Sequence, residues 1–195
     1  GIHVQSMASL VDADDALIWR GPMASKAVEQ LAYQTAWPEL DYLVVDLPPG
    51  TGDTQLSLSQ KVPVSGAVIV TTPQDIALLD ARKAYRMFEK VQIPVLGVIE
   101  NMSTHVCSEC GHEEHIFGQG GGKVMAKEYG LEFLVDVPLD VDIRLQADEG
   151  TPITVLAPDS LAGTAYRSAA LKVAAGLAKS SKDYSKVFPK IVIES

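Results

Sequence analysis

The sequence predicts an α/β fold, a mostly parallel sheet with helices on both faces. Three observations predict it. Short apolar runs recur at residues 41–46, 67–71 and 95–100, continuous rather than alternating, as in strands buried on both faces. Between and after them lie stretches with helical spacing, which is the alternation of crossover units. Two of the runs end in polar residues followed by a turn, D-L-P-P-G-T-G-D at 46–53 and E-N-M at 100–102. The C-terminal edge of such a sheet is where open α/β folds bind ligands.

In chain order, residues 8–19 read as a strand or an extended lead-in, and a helix covers 23–35 after Gly21-Pro22. The strand 41–46 and a short helix over 54–60 follow. Ala67 to Thr71 is a buried strand. A helix spans 75–90, with Asp75 near its start and Ile76, Leu79, Lys83 and Met87 near one face. Val95 to Glu100 is another buried strand. Residues 102–117 read as irregular and hold both cysteines and three of the four histidines. A helix over 119–129, a strand over 131–136, a turn V-P-L-D at 137–140 and a short helix over 141–149 come next. The last helix covers 159–179. The expected organisation is one domain over 1–179 with a tail at 180–195, since 195 residues suffice for a sizeable core.

Composition excludes several classes. The net charge is −9 and the pI about 4.8, against the basic surface that nucleic acid requires. No apolar run approaches the roughly 18 residues of a membrane span. The start, G-I-H-V-Q-S-M, lacks the basic region of a signal peptide. Two cysteines are too few for a disulfide framework, so a cytoplasmic location is the default expectation.

The richest segment is D-Y-L-V-V-D-L-P-P-G-T-G-D at 41–53. An acid at a strand end, Asp46, before a Gly-rich turn and a second acid, Asp53, is how a nucleotide-hydrolysing site presents a magnesium-side carboxylate and a phosphate-sensing loop. The second feature is Cys107-Ser108-Glu109-Cys110, whose spacing lets two thiolates clamp one soft metal or cluster. Four readings stand: a redox dithiol, a zinc site completed by His112 and His115, half of a four-thiolate site completed across a two-fold dimer, or two idle thiols. Asn101 ends a strand, where its amide can read an adenine edge or cap a turn. Asp140 suits a helix N-cap, and Arg144 is placed for a surface ion pair. His105 receives no role.

The phosphate-binding pattern G-x-x-x-x-G-K-[ST] is absent. The nearest imitation, G-Q-G-G-G-K-V at 118–124, has one residue too few between its outer glycines and a valine in place of the magnesium-binding hydroxyl. It reads as a loop opening a helix whose amides are able to bind some anion.

Taken in order, V-Q-S-M (4–7), W-R-G-P-M (19–23), D-Y-L-V-V-D-L-P-P-G-T-G-D (41–53), V-T-T-P-Q-D-I-A-L-L-D (70–80), E-N-M-S (100–103) with C-S-E-C (107–110), F-G-x-G-G-G (117–122) and V-P-L-D (137–140) make the chain resemble the Mrp/ApbC family of iron–sulfur cluster carrier ATPases. These are MinD-like, deviant-Walker P-loop NTPases. The resemblance runs from about Val4 to Ala178 and implies that fold. It implies that Asp46 holds magnesium through water, that Gly50 senses the terminal phosphate of ATP, and that Asp53 lies in the same switch. Asn101 would read adenine and Pro138 would lie in the loop near the base. Cys107 and Cys110 would ligate a [4Fe–4S] cluster shared across a homodimer, for delivery to recipient apo iron–sulfur proteins.

The family's K-G-G-V-G-K-[ST] block, its first strand and its switch I aspartate are not among these residues, so the domain is expected to be N-terminally incomplete and this polypeptide alone inactive toward ATP. A missing central strand is expected to leave neighbouring strands unpaired and apolar surface exposed. Asp46–Asp53 and the cysteine loop are expected to share one sheet edge. Two rival readings remain at this point: a zinc-binding dimerisation module on the same fold, and a MinD-like positioning ATPase. The second wants a basic amphipathic C-terminal helix, and a tail broken by Pro189 argues against membrane binding.

Overall fold

The computed structural model describes residues 2–6, 21–47 and 61–179. The expectations for 8–19, for the helix 54–60, for Gly50 and Asp53, and for the tail 180–195 lie outside the described residues. Two compact units emerge, Gly1–Ile69 with Asp75–Val95, and Val70–Gln74 with Leu96–Ser195.

The first unit holds α1 (Gly21–Tyr33), the start of β1 (Ala67–Thr71) and α2 (Asp75–Lys90). The Tyr33 hydroxyl donates to the Lys61 carbonyl at 2.7 Å, and Lys61 pairs with Glu29 at the exposed surface. α2 buries Leu78, Ala81 and Phe88. Ile76 and Leu79, on the stripe expected from the sequence, are exposed. Two apolar stripes compete on this helix, and periodicity alone does not choose between them.

The expected strand 41–46 is not formed. Residues 42–47 belong to no helix or ladder, and Val44 is 89% exposed. A strand needs a hydrogen-bonded neighbour, and none reaches this run among the described residues.

The second unit is built on β2 (Val95–Glu100) and β5 (Phe133–Asp136), which pair in parallel. β1 completes a three-stranded sheet in the order β1-β2-β5. At Gly97 an added Cβ would meet the Glu132 carbonyl at 2.5 Å and Leu134 Cγ at 2.7 Å. Glycine therefore permits this close strand approach, and the register slips one residue on, between Val98 and Ile99. α3 (Gly121–Glu128) and α6 (Leu161–Lys179) pack against β5. Val98, Met125, Leu134 and Val137 form the fully buried centre of this unit. α6 presents Ala162, Gly163, Ala165 and Ala169, all buried and small enough for close approach. Lys172 tethers it by donating to the Leu134 carbonyl at 2.7 Å.

α4 (Val141–Asp148) starts where Asp140 Oδ1 accepts from the Asp142 amide at 2.9 Å, as its N-cap pattern predicts, and Arg144 pairs with Asp148 at 2.8 Å. A short α5 (Ile153–Leu156), which has no sequence expectation, precedes α6. Residues 102–117 are not wholly irregular: β3 (His105–Val106) and β4 (Glu113–Glu114) form an antiparallel hairpin. At two residues each, these strands are too short for periodicity to betray them. No described helix is long and apolar enough to cross a membrane.

Candidate functional site

Both cysteines lie in the β3–β4 hairpin. The Cys107 amide donates to the His112 carbonyl and the Gly111 amide to the Cys107 carbonyl, both at 2.9 Å. Gly111 takes a φ of 71°, which folds the chain back at little cost only for glycine. The Cys107 thiol is held below its ordinary value, foremost by the amide of Cys110, then by the amide of Glu109 and the Cys110 thiol. Amides aimed at a sulfur favour the thiolate, the form that binds metal. Cys110 is exposed and neither cysteine is in a disulfide.

The hairpin stands on a base made from the strand ends of the second unit. Met102 turns the chain out of β2 with a φ of 55°. Beyond β5 the V-P-L-D segment continues the parallel pairing. The Val137 amide donates to the Glu100 carbonyl at 2.8 Å, the Ser103 amide to the Val137 carbonyl at 3.0 Å, and the Leu139 amide to the Thr104 carbonyl at 2.8 Å. His105 Nδ1 lies 3.1 Å from the Leu139 carbonyl and His115 Nδ1 3.0 Å from the Ser103 carbonyl. A carbonyl only accepts, so both rings carry their proton on Nδ1. Among the described residues no group of three or more Cys, His, Asp or Glu is placed to hold a metal ion. The four-ligand site with His112 and His115 is thus not assembled. His115 Nδ1 faces the Ser103 carbonyl, which leaves Nε2 as its ligand atom, and His112 Nε2 lies 3.8 Å from Glu114 Oε1.

Of the expected site residues, the structure brings Asn101, Pro138, Cys107 and Cys110 onto this one framework. Asn101 leaves β2 with its backbone N–H donating to the Thr71 carbonyl at 2.7 Å, and Pro138 is buried within the V-P-L-D segment. Asp46 belongs to the other unit and is exposed.

One residue of the site carried no expectation. Glu100 is 2% exposed, yet its carboxylate has two partners: Oε1 accepts from the Gly120 amide at 3.1 Å and Oε2 from the Gly122 amide at 2.6 Å. The anion bound by the G-Q-G-G-G loop is therefore a side chain of the same chain. Hydrogen bonds to a charged group contribute about 1.5–3 kcal/mol each, and the N-terminal end of α3 adds a favourable dipole. The available signal was an acid closing a buried strand and, twenty residues on, a glycine run whose amides need an acceptor.

Comparison with known proteins gives the family. Residues 1–174 match the family described as ParA, NUBPL iron-transfer P-loop NTPase. The iron-sulfur cluster carrier protein of Pseudomonas fragi is 58% identical over 177 residues, which cover 91% of this chain and 62% of that protein. The chain thus spans under two thirds of that relative's length. A nucleotide-binding protein of Archaeoglobus fulgidus, solved with ADP and with cobalt found in it, superposes with a TM-score of 0.59 at 39% identity, over 66% of this chain and 53% of that one. The cell division ATPase MinD of Pyrococcus furiosus gives a TM-score of 0.57 at 19% identity, over 80% of this chain and 59% of that one, a likeness of fold.

Proposed function

The chain belongs to the ParA-related family of NUBPL-type iron-transfer P-loop NTPases, and from that premise we propose that it is part of a cytoplasmic, ATP-hydrolysing carrier that delivers iron–sulfur clusters to apo proteins. The cargo is a [4Fe–4S] cluster, held by Cys107 and Cys110 from each of two copies. The observation that carries this reading is the β3–β4 hairpin, whose turn holds Cys107 and Cys110 three positions apart with both thiols free. Such a turn offers two sulfur ligands, and a cluster takes four, so a two-fold pair of hairpins supplies the set.

In the same reading Asp46 holds Mg2+ through water, Gly50 and Asp53 form the phosphate-sensing switch, and Asn101 and Pro138 receive the adenine of ATP. Hydrolysis needs a lysine on the phosphates and a hydroxyl on the magnesium. The motif that supplies them is not among these 195 residues. Cargo binding is accordingly what this chain tests directly.

Anaerobic reconstitution with iron and sulfide should give broad visible absorption, in a species of twice the chain's mass. The Cys107→Ala variant should lose both colour and iron almost completely. Stoichiometric zinc without colour would favour the zinc-binding dimerisation module instead.

A further inference from the structure

The cysteine excursion, residues 101–119, leaves and returns at neighbouring points of the second unit. It leaves with the Asn101 amide on the Thr71 carbonyl. It returns past Gly118, whose added Cβ would lie 3.7 Å from Pro73 Cβ. The hairpin at its tip has two residues per strand, and an isolated two-stranded hairpin is marginal in water. Its placement must come from its base. There the outgoing limb has backbone bonds to the V-P-L-D segment. The returning limb meets the Ser103 carbonyl through His115 Nδ1 and, at its end, the carboxylate of Glu100.

The fit at that point is mutual. A Cβ at Gly122 would lie 3.1 Å from Glu100 Cβ and 3.2 Å from its Oε2, so only glycine lets the carboxylate reach the amide unhindered. Gly120, the other donor, takes a φ of 72°. Glu100 also uses its backbone carbonyl to accept from Val137. One residue therefore touches the return of the loop with its side chain and the V-P-L-D segment with its main chain.

We propose that Glu100 is the positioning residue of the cysteine loop, its carboxylate clasping the returning limb at Gly120 and Gly122 and so fixing where Cys107 and Cys110 are presented to metal. The metal half of this rests on the function proposed above. The loop-closing half does not.

The test compares the parent chain with Glu100→Gln, which removes the charge and sets an amide NH2 against a backbone N–H, and with Gly122→Ala, which keeps the carboxylate but sets a Cβ 3.2 Å from its Oε2. Amide exchange is followed in the loop (103–118) and in the β2–β5 core, and Co2+ is titrated by its thiolate absorption. In both variants core exchange should stay at the parent level while loop amides exchange roughly tenfold faster, the loss of one charge-assisted bond. Apparent Co2+ affinity should fall about 10–100-fold, as when a supporting shell around ligands is removed.

Parent-like loop exchange in both variants would overturn the proposal. So would a loosened loop with unchanged Co2+ affinity. Loss of core protection together with loop protection would also overturn it, because the carboxylate would then hold the whole unit. If the parent itself bound no Co2+, the reading of the cysteine pair would fail, and loop exchange would still decide the clasp.

Discussion

Residues 42–46 and 95–100 are both apolar runs that end in an acid, Y-L-V-V-D and V-L-G-V-I-E, yet only the second is a strand. Val98 is fully buried, whereas Val44 is 89% exposed. Glu100 is held by two backbone amides, and Asp46 lies exposed. Intrinsic preference does not separate the runs, since both are rich in β-branched residues. Neighbours do. β2 lies between β1 and β5 and has a helix start waiting for its acid. The run at 42–46 has no strand partner among the described residues. A strand is thus completed by what flanks it, and a motif written on a strand end is positioned only as well as that strand is.

Substitutions can break this contrast, and the largest effect belongs to the centre of the second unit. Leu134→Ala removes a side chain that is 2% exposed in β5. It should cost about 2–5 kcal/mol in urea unfolding. Gly97→Ala comes next. The added methyl meets the Glu132 carbonyl and Leu134, so overpacking should cost about 1–3 kcal/mol. A near-neutral Gly97→Ala would mean that β2 and β5 approach less closely than the structure has them. Smaller again is Asp140→Ala, which leaves the Asp142 amide without its cap and should cost about 1 kcal/mol.

The same contrast explains what was legible in the sequence. β1, α2 and β2 lie at the residues read for them, because there the apolar run also has a neighbour to pack on, which the run at 42–46 lacks among the described residues. The N-cap at Asp140 was legible because capping is local. Three features were not. The buried face of α2 depends on which stripe meets a neighbour. The β3–β4 hairpin is too short to show a period. The role of Glu100 spans twenty residues and involves backbone amides, which leave no mark on side-chain identity beyond the glycines at 120 and 122. The spacing of the cysteine pair was legible, but its place in a short hairpin and the contact of His115 Nδ1 with the Ser103 carbonyl are products of the fold.

Val44→Lys is the smallest expected effect and tests the other side of the contrast. With the side chain 89% exposed, a lysine there meets solvent and should change unfolding free energy by no more than about 0.5 kcal/mol. Were residues 42–46 instead a strand buried on both faces, as their apolar run suggests, the same change would bury an unpaired ammonium and cost several kcal/mol. Measured in this chain and again in a polypeptide that also carries a phosphate-loop strand, the two values should differ. Equality near zero in both would show that Val44 stays solvent-exposed even with a candidate neighbour present, and would remove the reason for placing Asp46 at a strand end. A cost that rises only in the longer chain would tie the position of Asp46 to the strand beside it.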